Sequence, residues 1–158
     1  MNKPAVVIRK VGIGDIAVMT RYRIDYLAEL QGDRDEAYRY QLAAELEYFF
    51  KSEMAAGRFF ALMAEKEGKA VAFGAMIIKR VPGDFNKSSY LEGDILNMYT
   101  LPEERRKGIS SMILESLLAE AKIMNISKVA LHTSNDGESL YRKFGFNDPA
   151  YPVLERAI

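Results

Sequence analysis

Three cations in a row, Arg105, Arg106 and Lys107, stand just before Gly108 and the start of an apolar stripe. The stripe is Ile109, Met112, Ile113, Leu117 and Ala121, spaced three and four apart, so it marks a helix. Positive charge belongs at the other end of a helix, because the N-terminus is already partly positive and its first N–H groups lack acceptors. A bound anion resolves both problems, and Gly108 lets it approach the backbone closely. A basic, solvated first turn fits the same letters at a cost of only about 0.3–1 kcal/mol per charge. The stretch alone therefore leaves both readings open.

The elements that must position this turn can be read in order. Val6 to Val11 is a first strand, rich in β-branched residues and followed by Gly12. Asp15 starts a helix to about Leu30, with Ile16, Thr20, Ile24 and Leu27 on one face. A second helix runs from about Asp35 to Ala55 on a stripe of Tyr38, Leu42, Leu46, Phe49 and Phe50, and Gly57 ends it. Phe59 to Glu65 and Ala70 to Lys79 are strands of a hairpin around Glu67, Gly68 and Lys69. The polar stretch Val81 to Ser89 predicts a mobile loop, and Tyr90 to Thr100 a fourth strand. After the basic turn and its helix to about Met124 comes a fifth strand, Lys128 to Thr133. A short helix from Gly137 to Phe144 is capped by Gly145, and the tail Tyr151 to Arg156 reads as a last strand. Strand four, helix and strand five form a right-handed crossover, so those two strands are expected to be parallel. The other strands, joined by short loops, are expected to be antiparallel. The class is α+β (mixed α/β) in one domain over residues 1–158. No Gly-x-Gly-x-x-Gly follows the first strand, which excludes a doubly wound dinucleotide fold.

Composition narrows the chemistry. The chain has 22 Lys plus Arg and 22 Asp plus Glu, a balance that argues against general nucleic-acid binding. With no Cys there is neither a thiol nucleophile nor a disulfide framework, and one His leaves no transition-metal cluster of the usual spacing. No apolar run approaches the roughly 20 residues that span a bilayer, and the N-terminal apolar run is too short for a signal peptide. A soluble cytoplasmic protein with no membrane partner is the expectation.

The stretch from Asn97 to Ser111 resembles the acyl-CoA pyrophosphate loop of the GNAT superfamily of N-acetyltransferases. That pattern is Arg/Gln-x-x-Gly-x-Gly/Ala after a strand; here it reads Arg105-x-x-Gly108-x-Ser110, with serine at the last small position. The run from Thr133 to Phe146 is similar to a second motif of that family, Asn-x-x-Ala-x-x-Leu-Tyr-x-x-x-Gly-Phe. Asn135, Leu140, Tyr141, Gly145 and Phe146 match it, and Glu138 replaces the alanine. The element order agrees along essentially the whole chain. The resemblance implies a mostly antiparallel twisted sheet whose fourth and fifth strands splay apart after a bulge, with acetyl-CoA, the acyl-donor substrate, in the gap. It implies that the backbone of Met98, Tyr99 and Thr100 pairs with the pantetheine arm. The N–H groups of Arg106, Lys107, Gly108, Ile109, Ser110 and Ser111 would hold the pyrophosphate, with added charge from the Arg105 and Arg106 side chains. Asn135 would contact the cofactor arm, and the Tyr141 hydroxyl would act as general acid on the leaving thiolate. No metal is implied.

The chemistry of the residues agrees with that role. A thiol has a pKa near 8.5 and a tyrosine one near 10, so a positioned Tyr O–H can protonate or hydrogen-bond the thiolate while staying neutral itself. The attacking amine must shed a proton. Glu92 and Asp94 share one face of strand four by period two, and either could take it directly or through water; exposed strand carboxylates give the same letters. A backbone N–H of Met98 or Tyr99 is the candidate donor to the oxyanion. His132 reads as a packed sheet histidine, and Arg21, Arg23, Arg34 and Arg39 as solvated helix faces. Tyr22, Tyr26 and Tyr38 with Asp25, Glu29, Asp33 and Asp35 on the first two helices would suit a cationic amine. The expectation is acetyl transfer from acetyl-CoA to a primary amine, a small molecule or peptide, by direct attack in a ternary complex. Transfer of another acyl group and a non-catalytic acyl-CoA sensor are the alternatives, and the family's frequent dimers leave a homodimer open.

Overall fold

The computed structural model describes residues 4–158; Met1 to Lys3, part of the N-terminal run read above, lie outside the described residues. β1 (Val6–Lys10) passes through a short 3-10 turn into α1 (Ile16–Gln31) and α2 (Glu36–Ala55). β2 (Phe59–Lys66), β3 (Lys69–Pro82) and β4 (Ser89–Thr100) follow, then α3 (Ile109–Ile123), β5 (Ile126–Ala130) and α4 (Glu138–Lys143). The strands lie in chain order in one sheet, antiparallel except for the parallel β4–β5 pair. This is the expected α+β (mixed α/β) arrangement.

Local chemistry sets the element ends. The Asp15 carboxylate accepts from the Gly12 N–H at 2.8 Å and grips both terminal nitrogens of Arg9 at 2.8 Å, which fixes where α1 leaves β1. Asp35 caps α2 by accepting from the Tyr38 N–H at 2.8 Å. Glu67 and Gly68, at φ 53° and 74°, close the β2–β3 hairpin with the two left-handed residues its tight turn demands.

Phe59 to Ala64 of β2 and Ala70 to Ile78 of β3 carry no polar side chain because both faces of the sheet are covered. On one face Ile16, Met19, Tyr22 and Phe50 from α1 and α2 pack on Ala61, Met63, Phe73, Ala75 and Tyr99. On the other, Ile109, Ile113, Leu114, Leu117 and Ala121 of α3 pack on Leu62, Ala64, Ala72, Met76 and Ile95. α3 comes closest at Gly74, where an added Cβ would lie 2.5 Å from Ile113 Cγ2 and 2.7 Å from Met98 Sδ. Directly opposite Gly74, β4 bulges. Phe73 pairs with Tyr99 and Ala75 with Leu96, so one residue of β3 faces both Asn97 and Met98, and Asn97 adopts φ 56°.

Several expectations are corrected. The tail Tyr151 to Arg156 forms no strand, and Tyr151 and Leu154 are exposed. β5 begins two residues early, at Ile126, because Asn125 turns the chain out of α3 with φ 60°. It ends at Ala130, so His132 lies beyond the strand and is 92% exposed rather than packed. In the stretch from Val81 to Ser89 the loop is confined to residues 83–88, a tight turn between the ends of two strands at Pro82 and Ser89. Asp84 organises that turn by accepting from the Asn86 N–H and the Tyr90 hydroxyl, both at 2.8 Å. Tyr38 and Phe49 of the α2 stripe are exposed, and among the α3 residues Leu114 is buried while Met112 is not. Among the described residues, no helix is long and apolar enough to cross a membrane.

Gly74→Ala should destabilise the fold by about 1–3 kcal/mol, because α3 and the bulge must both move to admit one methyl group. Urea unfolding of the two proteins measures it.

Candidate active site

The bulge decides where β4 is free. β5 pairs only with Leu91 to Asp94, so the edge of β4 from Ile95 to Thr100 has no strand partner on that side among the described residues. A cleft of about 1450 Å³ opens there, lined among others by Asp94, Leu96, Val129, Leu131, Tyr141 and Phe146. The side chains of Met98 and Tyr99 turn to opposite faces of the sheet, into the α3 and α1 layers respectively. What this stretch presents at its edge is backbone.

The basic turn follows the free end of β4 and leads into α3. Arg106 and Gly108 both take left-handed conformations, φ 63° and 81°. The Gly108 position would admit a Cβ sterically, so the backbone conformation is what favours glycine there. No side chain caps α3. The N–H groups of its first turn and of the preceding left-handed residues therefore form a donor-rich concavity of the kind that holds oxyanions. Ile109, 2% exposed, anchors the turn in the core, and Ser111 is half-buried beside it. The Ser110 hydroxyl lies 3.1 Å from the Thr100 hydroxyl, so the serine side chain ties the helix start to the end of β4.

The three cations divide their work. Arg105 donates from Nε to the Thr100 carbonyl at 2.9 Å and from its terminal nitrogen to both Glu29 oxygens at 2.9 and 3.0 Å. Its guanidinium carbon lies 5.4 Å from the centre of the Tyr99 ring. Lys107 pairs with Glu104 at 3.2 Å, and Lys66 holds the same carboxylate below the usual range. Arg106 is exposed and makes no ion pair among the described residues. The turn thus offers one uncommitted cation and a set of backbone donors.

The second motif borders the same cleft. Tyr141 is half-buried, packs edge-on against Phe146 at 5.9 Å, and has its pKa raised by burial first and by Tyr26 second. Glu138 pairs with Arg142 at 2.9 Å, and Asn135 is exposed in the turn that precedes α4. Glu92 and Asp94 line the cleft from β4. Each is already paired with a lysine, Glu92 with Lys128 at 3.2 Å and Asp94 with Lys79 at 3.1 Å.

Two residues escaped the reading of the letters. Asn97 is 5% exposed, and its Oδ1 accepts from Arg23 of α1. Arg23 is half-buried rather than solvated. An Asn inside an apolar strand is the one signal the sequence carried, because Asn tolerates the left-handed conformation a bulge requires.

Sequence comparison matches residues 19–146 to the Acetyltransferase (GNAT) family. No curated protein matches the chain significantly. Among solved structures, a predicted acetyltransferase from Clostridium acetobutylicum, crystallised with acetyl-CoA, is 28% identical. It superimposes with a TM-score of 0.81 over 96% of each chain. A GCN5-related N-acetyltransferase from Ralstonia eutropha gives 0.79 at 22% identity over 98% of this chain and 99% of the other. The glucosamine-6-phosphate N-acetyltransferase of Arabidopsis thaliana gives 0.69 at 23% over 96% and 98%. The latter two likenesses speak to the fold.

Tyr99 yields a stability prediction. Its hydroxyl donates to Glu29 at 3.1 Å, and burial first, then that carboxylate, pushes its pKa up to about 12. The folded state therefore holds this proton more tightly than the unfolded chain, whose tyrosines titrate near 10. The contribution is complete below pH about 10 and is lost as pH rises toward about 12. Tyr99→Phe should remove this part of the alkaline decline in unfolding free energy, read by urea unfolding across that range.

Proposed function

The chain belongs to the GNAT acetyltransferase family, and from that premise we propose that it is an acetyl-CoA-dependent N-acetyltransferase acting on a primary amine in a ternary complex. One observation carries the reading. The free edge of β4 begins, at Ile95 and Leu96, in a cleft that the half-buried Tyr141 also lines, and it leads along the chain into the uncapped left-handed turn before α3. That arrangement suits a long, amide-bearing thioester with an anionic end.

In this reading the backbone donors from Arg106 to Ser111 bind the pyrophosphate, with the Arg106 side chain adding charge. Arg105 acts as a strut from the turn to α1 rather than as a free phosphate ligand, since Glu29, Tyr99 and Thr100 occupy it. The edge of Met98, Tyr99 and Thr100 pairs with the pantetheine amides. A neutral amine attacks the thioester carbonyl carbon, and a C–N bond forms. The oxyanion takes a hydrogen bond from the Met98 or Tyr99 N–H. The C–S bond then breaks, and Tyr141 delivers its proton to the thiolate. The raised pKa of Tyr141 keeps that proton in place through neutral and mildly alkaline pH. The amine proton leaves through water to Glu92 or Asp94. Asn135, in the turn before α4, contacts the cofactor arm.

Calorimetric titration should give micromolar or tighter binding of acetyl-CoA and much weaker binding of ADP, because the pantetheine arm adds the β4 contacts. Binding of the two with equal affinity would remove the splayed-strand reading. Tyr141→Phe should lower kcat by about 10²–10⁴-fold while acetyl-CoA affinity changes little, as expected for loss of general-acid catalysis. Unchanged turnover would remove Tyr141 from the chemistry, and acetyl-CoA binding with no amine acetylated would favour a sensor.

A further inference from the structure

We propose that Arg23 and Asn97 recognise an oxyanion on the acceptor, so that the amine this protein acetylates carries a carboxylate or a phosphate close to the reacting nitrogen. The inference rests on the acyl-transfer reading above and names its substrate class.

Arg23 is a half-buried guanidinium with five N–H donors, and the Asn97 amide oxygen is its side-chain hydrogen-bond acceptor among the described residues. No carboxylate among the described residues pairs with it, although acids are near it in sequence. Asp25 is held by Arg39 at 3.1 Å, Asp33 by Arg39 at 2.6 Å, and Glu29 by Arg105 and Tyr99. A cation taken partly out of water without a counter-charge is costly, and desolvation duly lowers the Arg23 pKa. These three acids near Arg23 therefore have their charge spent within the protein. The uncompensated group on this face is positive.

Asn97 adds the second observation. It is 5% exposed, its Oδ1 is turned to Arg23, and its Nδ2 has no acceptor among the described residues. An unmade bond from a buried amide costs about 1–3 kcal/mol. The residue is also held at φ 56° by the bulge, a conformation that costs about 1–3 kcal/mol and persists where the surroundings impose it. Both side chains thus offer unused N–H donors and no unused acceptor at one place. Such a donor set matches an oxyanion and penalises a second ammonium group.

The position suits an acceptor. Asn97 directly precedes Met98 and Tyr99, the residues whose N–H groups face the reacting carbonyl in the proposed mechanism. Tyr26 lies one turn beyond Arg23 on α1. Tyr26 itself packs edge-on against Tyr99 at 6.1 Å.

The test uses the full chain and matched acceptors: α-amino acids against their carboxamides and decarboxylated amines, and amino-sugar phosphates against the unphosphorylated sugars. Release of free thiol from acetyl-CoA gives the rate, and acetyl-CoA affinity is titrated in parallel. The anionic member of at least one series should be preferred by tenfold or more in kcat/KM, as loss of one or two charged hydrogen bonds implies. The series in which this occurs distinguishes carboxylate from phosphate. Arg23→Met should abolish the preference mainly through KM, Arg23→Lys should restore part of it, and Arg21→Met should leave it intact. Asn97→Gly keeps the left-handed backbone without strain and removes the amide donor, so it should weaken the preference even if Arg23→Met fails to fold. Neutral amines accepted as well as anionic ones, no anionic amine accepted, or a preference that survives in Arg23→Met would each overturn the inference while acetyl-CoA binding stands. Absence of acetyl-CoA binding would overturn the acyl-transfer reading and this inference together.

Discussion

The bulge at Asn97 is the constraint on which the rest of the structure depends. Two residues of β4 must face one of β3, and the one is Gly74, where α3 leaves no room for a side chain. Helix and bulge are therefore fitted to each other: Ile113 and Met98 fill the space that a Cβ would take. A bulge bends a strand and increases its twist, and beyond this one β4 diverges from β5. One wall of the cleft is the β4–β5 sheet, and α4 with the segments on either side of it forms the other. Backbone groups at the free edge keep their hydrogen-bonding capacity because no neighbouring strand consumes it.

Electrostatics then fixes the turn between β4 and α3. Arg105 spans from the turn to Glu29 on α1, lies over Tyr99 and holds the Thr100 carbonyl. As an exposed ion pair it contributes little to stability, about 0–1 kcal/mol. Its effect is positional: it couples α1, the end of β4 and the turn that starts α3. Ser110 does the same from the helix side through Thr100. A serine where the family pattern has glycine or alanine thus gains a bond to β4 while its N–H remains available to a ligand.

The charge balance of the chain hides a local asymmetry. Asp25, Glu29 and Asp33 all have basic partners on the first two helices or on the turn, and Arg23 beneath the bulge has no acidic partner among the described residues. Net charge is indifferent to this arrangement, whereas in the proposed acceptor site substrate choice would depend on it, because discrimination follows from which buried group is left unpaired.

The letters alone determined the helix stripes, the β2–β3 turn, the parallel crossover and the two family motifs, because these depend on spacing within a short window and on residue types with strong local preferences. They also placed Gly108, Ser110 and Tyr141 in the right elements. They misread His132 and the tail, where strand propensity met no partner strand, and Tyr38, where helical periodicity met no packing surface. Only the tertiary structure decided that Arg105 is a strut, that Glu92 and Asp94 carry lysine partners, and that Arg23 meets Asn97 across 74 positions of sequence. Those are pairings between distant segments. Side-chain charge and size are written locally, but which charge neutralises which is settled by the sheet register and helix packing that bring them within a few ångströms.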